Sequence, residues 1–267
     1  MKLVTTGDKK LSGWALILGA SSGFGAATSL ALARAGTDIV GIHLDLKSTL
    51  PRAEAVQAEI RNAGRQALFI NMNAADAEKR AEAVGRMKEE GVKVKVMLHS
   101  LAFGTLRPIV AGTREESLDQ RQIEMTLNVM AHSLVYWAQE LVWADLFADD
   151  ARIFSMTSEG NQRVWPTYGA VSAAKAALES HTRQLAYELS SRNIKVNAIQ
   201  AGVTDTPALR QIPVHERIIE GSLRRNPYQR LTKPEDVASA IVAFSQPELA
   251  WMTGNVIRVD GGEFISP

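Results

Sequence analysis

The chain has 267 residues, of which 46% are hydrophobic, so it can enclose one large core and we expect a single domain over residues 1–267. Lys and Arg number 30 and Asp and Glu 29, and the formal net charge of +1 provides no overall field to attract nucleic acid or an anionic membrane. The absence of cysteine excludes disulfides, thiolate metal sites and thiol catalysis. No basic leader and no apolar run of membrane-spanning length are visible, so we expect a soluble, cytoplasmic protein.

Short apolar segments alternate with helical ones along the chain. We predict strands at residues 14–18, 39–44, 67–72, 94–98, 151–156, 194–199 and 255–259, and helices at 26–35, 52–62, 78–90, 117–141 and 172–190. Connections of this length pass over a sheet face and pair the strands in parallel, with right-handed crossovers. The prediction is therefore an α/β fold, a doubly wound Rossmann domain with a seven-stranded parallel sheet flanked by helices.

The segment 207–231 interrupts this alternation. It contains Pro213, Pro227 and several Arg residues, and we predict an irregular substrate-binding loop that is poorly ordered without ligand and closes on it.

Three glycines, Gly19, Gly23 and Gly25, lie between the first strand and the first helix with the spacing GxxxGxG. Backbone amides and the positive end of a helix at such a turn can hold a pyrophosphate. The hydroxyls of Ser21 and Ser22 can add donors. This position after the first strand favours a dinucleotide site over an ordinary tight turn.

The turn Gly19-Ala-Ser-Ser-Gly-Phe-Gly25 resembles the cofactor turn of the short-chain dehydrogenases/reductases, and other segments agree with that family in order along the chain. The matching segments are the turn from Asn73 to Asp76, His99-Ser100-Leu101-Ala102, Asn128-Val129, Ala201-Gly202-Val203-Thr204-Asp205-Thr206 and Asp260-Gly261-Gly262. The similarity runs from about Gly13 to Phe264. The His99-Ser100 turn is more similar to that of enoyl-acyl-carrier-protein reductases.

The resemblance implies an NAD(P)-dependent oxidoreductase and supplies candidate contacts to the cofactor. These are Gly19, Ser21, Ser22, Gly23, Phe24, Gly25, His43, Asn73, Ala74, Ser100, Leu101, Ala102, Thr157, Tyr168, Lys175, Gly202, Val203 and Thr206. The candidate catalytic residues are Tyr168, Lys175, Ser158 and Asn128. In the family a Tyr donates a proton, while a Lys lowers the pKa of that Tyr and holds the nicotinamide ribose.

The spacing of the Tyr and Lys departs from the usual pattern. Most family members place Tyr four residues before Lys, but that position here is Val171, and Tyr168 lies seven residues before Lys175. Seven residues return nearly to the same face of a helix, so both side chains can address one cofactor. The Tyr-x6-Lys spacing is typical of enoyl-acyl-carrier-protein reductases, and its combination with GxxxGxG resembles their NADPH-preferring type.

The reaction chemistry offers a reason for the displaced Tyr. In a ketone the carbon that takes hydride is bonded to the oxygen that takes the proton, whereas in an enoyl thioester the charged oxygen lies two carbons further along. A shift of three helical residues moves a hydroxyl on the order of 4.5 Å, the scale needed to follow that oxygen.

Many enoyl reductases with this spacing carry a second Tyr where this chain has Ser158. Two rival functions therefore remain: a ketone or 3-oxoacyl thioester reductase or alcohol dehydrogenase, and a non-catalytic sensor of dinucleotides.

The position that selects NAD in this family, at the end of the second strand, is His43. A carboxylate there would repel a 2′-phosphate. Its absence and the nearby Lys47 favour NADP(H), although Asp45 favours NAD(H), which remains possible.

The remaining expectations concern His99, metals and partners. We expect His99 to be a structural histidine and predict no metal site, because no ligands occur at metal spacing. Arg224, Arg225 and Arg230 fit either a solvated loop or contact with an acidic acyl carrier protein or its phosphopantetheine. The expected partners are an enoyl thioester and further copies of the chain in a homotetramer.

Overall fold

The computed structural model describes residues 11–267, so the first ten residues of the predicted domain lie outside the described part. Seven strands form one sheet in the order β3-β2-β1-β4-β5-β6-β7, and every neighbouring pair is parallel. The strands are β1 (Trp14–Leu18), β2 (Asp38–His43), β3 (Ala67–Asn71), β4 (Val94–His99), β5 (Phe147–Thr157), β6 (Lys195–Ala201) and β7 (Val256–Val259). The predicted doubly wound α/β class is confirmed, and the order reverses between β1 and β4, where open α/β sheets bind ligands.

Helices cover both faces of the sheet. They are α1 (Gly23–Ala35), α2 (Leu50–Asn62), α3 (Ala77–Glu89), α4 (Gln120–Leu127), α5 (Ser133–Trp143), α6 (Gly169–Glu188), α7 (His215–Arg225) and α8 (Pro234–Phe244). Side chains alternate along a strand, so Leu16 and Leu18 of β1 join the core under α3, α5 and α6, while Ala15 and Ile17 join the core under α1, α2 and α8. No helix in residues 11–267 is long and apolar enough to cross a membrane.

The helical region predicted at 117–141 is divided. It begins only at Gln120, because Asp119 forms a capping box with Gln122. A π-helical turn, Asn128–His132, then separates α4 from α5. A wide turn keeps the chain helical while shifting the phase of its buried face, so apolar periodicity alone does not reveal it.

The prediction that 207–231 is irregular is wrong for its middle. A 3₁₀ turn spans Leu209–Gln211, and α7 follows between Pro213 and Pro227. The two prolines bound this helix rather than prevent it, since proline is excluded mainly from helix interiors. Helix α8 was not predicted either; it has Pro234 in its first turn and packs against α1.

Candidate functional site

The carboxyl ends of β1, β4, β5 and β6 carry most of the candidate residues. At the end of β1, Gly19 has a φ of 93°, and a Cβ atom there would lie 2.5 Å from the carbonyl oxygen of Ser100. A Cβ atom on Gly25 would overlap the carbonyl oxygen of Gly19. Only glycine fits both positions, which lets the backbone make the tight turn of a dinucleotide site.

The turn leads directly into α1, which begins at Gly23, three residues earlier than predicted. Ser22 stands at the N-cap without a side-chain cap bond, and no acidic residue lies in the first turn. The first amides of α1 are therefore left for an anion such as a pyrophosphate. Phe24 is half-buried and packs against the core.

The loop after β6 faces this turn. The Cγ2 atom of Thr206 would lie 3.6 Å from a Cβ atom on Gly23. Beside this contact a cleft of about 670 Å³ is lined by Ser21, Ser22, Arg52, Val56, Asp205, Thr206, Pro207, Arg210 and Gln211. The cleft brings three of the predicted cofactor residues together with Arg52, which the sequence analysis did not select.

At the end of β2, His43 is buried and its Nδ1 atom lies 2.9 Å from Oδ2 of Asp45. Burial opposes ionisation of Asp45, but hydrogen bonds from Thr49, Ser21 and His43 outweigh it and hold the pKa of this carboxyl below its usual value. The structure therefore places the Asp45 carboxylate, rather than the His43 ring, against the glycine-rich turn.

The other expected cofactor residues lie along the same edge. Asn73 accepts a hydrogen bond from the Ala75 amide and forms the turn after β3, while Ala74 is buried. Ser100, Leu101 and Ala102 follow β4, Thr157 ends β5, and Gly202 and Val203 follow β6. Proximity at the carboxyl ends of parallel strands is what the sequence pattern predicted for them.

Tyr168 precedes the first residue of α6 as its N-cap, and the preceding residue, Thr167, has a left-handed φ of 64°. The Tyr168 hydroxyl donates to Oγ of Ser158 at 3.4 Å. Burial raises the pKa of this hydroxyl, opposed by the Ser158 hydrogen bond. The direction is opposite to the lowering that the resemblance implies, and it leaves Tyr168 as a protonated donor at neutral pH.

Lys175 is buried in α6, and its Nζ atom donates to the carbonyl oxygen of Met156 at 2.7 Å. Burial lowers the pKa of this ammonium group to about 8, and the nearby Glu179 carboxylate opposes that shift. A buried lysine with so little structural pairing fits a group that meets a ligand.

Val171 occupies the usual position of the family's Tyr but is buried core. A Cβ atom on Gly104 would lie 3.0 Å from Cγ2 of Val171 and 2.7 Å from Cγ2 of Thr126. The segment after β4 thus closes over Val171, and neither a hydroxyl nor space for one is present there.

His99 is fully buried, whereas Asn128 is only half-buried. Burial, followed by the charge of Lys175, lowers the pKa of His99 to about 3, and its Nε2 atom lies 2.8 Å from the Ser133 hydroxyl. Its ring is therefore neutral near pH 7. Asn128 is half-buried and opens the π-helical turn.

The three arginines considered for contact with an acidic carrier, Arg224, Arg225 and Arg230, are paired with neighbouring carboxylates. Arg224 lies 3.3 Å from Glu220, and Arg230 lies 2.6 Å from Asp236. Arg225 contacts two carboxylates in the interior. These pairs neutralise most of the positive charge that the sequence offered to an acidic carrier.

Comparisons with known proteins show which family the chain resembles. A family model described as enoyl-(acyl carrier protein) reductase matches residues 19–263. A 3-oxoacyl-[acyl-carrier-protein] reductase from Thermotoga maritima is 28% identical over 92% of this chain and 96% of its own length. A 1-cyclohexenylcarbonyl-CoA reductase from Streptomyces collinus is 27% identical over 92% of this chain and 85% of its own. The solved structure of a short-chain dehydrogenase/reductase from Serratia marcescens superposes with a TM-score of 0.81 and 26% identity, covering 94% of this chain and 97% of that one.

Proposed function

The chain belongs to the short-chain dehydrogenase/reductase family, and on that premise we propose that it uses NAD(P)H to reduce the carbon–carbon double bond of a trans-2-enoyl thioester. The observation that carries this proposal is the pair of positions 168 and 171. Tyr168, at the N-terminal end of α6, carries the hydroxyl, while Val171 is buried beneath Gly104. A donor displaced by three residues in this way suits an oxygen that lies two carbons from the reduced carbon.

The proposed roles follow from the chemistry of each group. Tyr168, protonated and half-buried, donates a hydrogen bond to the thioester oxygen as negative charge develops there. Ser158 orients the Tyr168 hydroxyl, and Lys175 holds the nicotinamide ribose. Asn128, which opens the π-helical turn, is proposed as the fourth site residue. The glycine cradle and the uncapped end of α1 fit a dinucleotide, which supplies the hydride when bound.

Reduction of a ketone or 3-oxoacyl thioester is the second candidate. The 3.4 Å contact between Tyr168 and Ser158 favours it, because this Ser–Tyr pair can protonate a carbonyl oxygen directly, and the Thermotoga relative carries that name. Steady-state kinetics with crotonyl and acetoacetyl thioesters at matched concentration separate the two. We expect higher kcat/KM for the crotonyl thioester, and preference for the acetoacetyl thioester would reject our first proposal.

A dinucleotide sensor without catalysis is the remaining alternative. The retained Tyr168, Lys175 and Ser158 argue against it. Tight NADPH binding without turnover of any thioester, ketone or alcohol in a broad panel would instead favour the sensor.

Because Arg224, Arg225 and Arg230 are already paired with carboxylates, we do not expect them to bind a strongly acidic carrier of the thioester. The Streptomyces relative is named for a coenzyme A thioester. We therefore propose that the enzyme accepts coenzyme A thioesters as well as those on acyl carrier protein. Comparable kcat/KM for the two forms of one acyl chain is the expected result, and a preference of about 100-fold for the carrier protein would contradict it.

For the cofactor, we propose NADPH in preference to NADH, with Arg52 as partner of the 2′-phosphate. Arg52 lines the cleft with Ser21 and Ser22, whereas the carboxylate of Asp45, whose pKa is lowered, opposes a phosphate. Arg52→Ala should raise the KM for NADPH about tenfold and leave that for NADH unchanged, since one charge-assisted contact contributes about 1.5 kcal/mol or more. Asp45→Asn should improve NADPH binding instead. Equal effects of Arg52→Ala on both cofactors would exclude Arg52 from this role.

The homotetramer also stays a proposal. Trp143 at the end of α5 and Tyr187 at the end of α6 expose 71% and 80% of their surfaces, which suits helices that pack against another copy. Light scattering after size-exclusion chromatography should give four times the chain mass, and a monomer would contradict this.

A further inference from the structure

Glu179 is a buried carboxylate one helical turn beyond Lys175 in α6. Its Oε1 atom accepts a hydrogen bond of 2.7 Å from the Thr157 hydroxyl and one of 2.6 Å from the side-chain amide of Asn161. Thr157 directly precedes Ser158, and Asn161 ends the 3₁₀ turn Glu159–Asn161 that follows it. One carboxylate oxygen therefore ties down both ends of the turn that carries Ser158.

The position of this turn determines how Ser158 meets Tyr168. The Ser158 hydroxyl accepts the Gly160 amide at 3.1 Å and the Tyr168 hydroxyl at 3.4 Å. Hydrogen bonds to an ionised acceptor are stronger than those to a neutral one, so Glu179 is well suited to hold the turn rigid. Loss of this anchor would let the Ser158 hydroxyl move relative to Tyr168.

The same carboxylate faces a buried positive charge. Lys175 is the cation whose charge Glu179 stabilises, and burying either group without the other would be unfavourable. His99 on β4 also senses Lys175, but its pKa of about 3 leaves it neutral in the working range. Glu159, in the Ser158 turn, lies 3.6 Å from Arg163 and 3.4 Å from Arg225. Among the described residues, Glu179 is thus the anion that acts on Lys175.

We propose that Glu179 is a positioning residue, which fixes the Ser158 turn and balances the charge of the Lys175 ammonium group beneath the active site. The inference rests on the proposed roles of Tyr168, Ser158 and Lys175. Helix α6 then has two functions, because it presents Lys175 and also anchors the turn that carries Ser158.

Two variants separate the two effects. Glu179→Gln keeps an oxygen acceptor for Thr157 and Asn161 but removes the charge, so Lys175 should lose its proton more readily. The alkaline limb of the kcat/KM profile should move to lower pH, and the pH above which NADPH binding weakens should move with it. Asn161→Ala keeps the charge but releases one end of the turn, and it should lower kcat about 10- to 100-fold without moving the limb.

The matched control is Glu188→Gln at the exposed end of the same helix, where the partner of Glu188 within residues 11–267 is Gln184. It should leave both the profile and kcat unchanged. An unshifted profile in folded Glu179→Gln would overturn the charge role, and wild-type kcat in Asn161→Ala would overturn the anchoring role. If Glu179→Gln does not fold, Asn161→Ala still tests the anchoring role.

The measurements use whichever substrate the wild-type enzyme reduces. If the protein reduces the acetoacetyl but not the crotonyl thioester, the proposed double-bond reduction is wrong, but the role of Glu179 can still be tested with the acetoacetyl thioester. The pH dependence of NADPH binding, followed by fluorescence titration, needs no turnover and provides the independent readout.

Discussion

The ring of Tyr168 lies against the backbone of Gly160, so closely that a Cβ atom at position 160 would be 2.9 Å from Cδ1 of the ring. The Gly160 amide also donates to Ser158. A glycine is therefore needed two residues after Ser158 for the ring to reach its place. Gly160→Ala should displace the ring and lower kcat about 10- to 100-fold, with NADPH affinity nearly unchanged. Steady-state kinetics and fluorescence titration check this.

The matched control for that substitution is Gly85→Ala in the middle of α3, where an added Cβ atom meets nothing within 4 Å. It should keep kcat and raise the free energy of unfolding by up to about 1 kcal/mol, because alanine favours a helix. If Gly160→Ala retains wild-type kcat, contact with Gly160 does not position Tyr168.

Arg225 fastens the end of α7 to the interior. Its Nη2 atom lies 3.2 Å from Oε1 of Glu263 and 3.4 Å from Oε1 of Glu159. Glu263 also accepts the Ser222 hydroxyl and, at 3.1 Å, the Val203 amide, so the ion pair joins the 207–231 segment to the loop after β6. Arg225→Leu should leave both carboxylates without this partner, lower the free energy of unfolding by about 3 kcal/mol, and speed proteolysis within 207–231.

The neighbouring Arg224 is the control for this prediction. It pairs with Glu220 on the exposed surface of α7, and Arg224→Leu should change stability by about 0.5 kcal/mol or less. Equal protease sensitivity of the two variants would show that the interior ion pair does not hold the segment.

His99 should make the protein less stable in acid. Its pKa is about 3 in the fold against 6.5 ordinarily, so below pH 6.5 the unfolded chain takes up a proton that the folded chain does not. From pH 7 to pH 5 this costs about 2 kcal/mol of stability. His99→Gln, which cannot take up that proton, should lose correspondingly less stability between the two pH values. Urea unfolding at each pH measures the difference, and identical losses would contradict the assignment of a neutral, buried His99.

Val171→Tyr tests whether position 171 can carry the donor. The new side chain would meet Gly104, so the substitution should destabilise the fold by about 1–3 kcal/mol. In the Tyr168→Phe background it should not restore reduction of a crotonyl thioester. Recovery of that activity would show that the displaced Tyr is not specific to the enoyl reaction.

The fold could be predicted from the sequence because its strands are short apolar runs separated by regular helices. The glycine turn was found by its spacing, and Tyr168 and Lys175 were found through the resemblance to the family. The π-helical turn that begins at Asn128 could not be predicted, since the apolar residues of α4 before it and of α5 after it both follow a helical period. Helix α7 was hidden by its flanking prolines, although Ile218 and Ser222 form a buried face.

The contacts that sequence reasoning missed join residues far apart in the chain. Asp45 meets Ser21 only because β2 lies beside β1, and Glu179 meets Thr157 because α6 crosses β5. Gly160 was missed as well, because a glycine in a turn does not show which side chain packs against it. Its partner, the Tyr168 ring, required the structure.

The central claim is that the Tyr168 hydroxyl stabilises charge on a thioester oxygen. The most direct test is kcat of Tyr168→Phe for a crotonyl thioester with saturating NADPH, alongside the dissociation constant for NADPH. We predict a fall in kcat of about 10²- to 10³-fold with the dissociation constant nearly unchanged, as for the loss of one donor to a developing oxyanion. Wild-type turnover by Tyr168→Phe would contradict the assignment of Tyr168 and the double-bond reduction built on it.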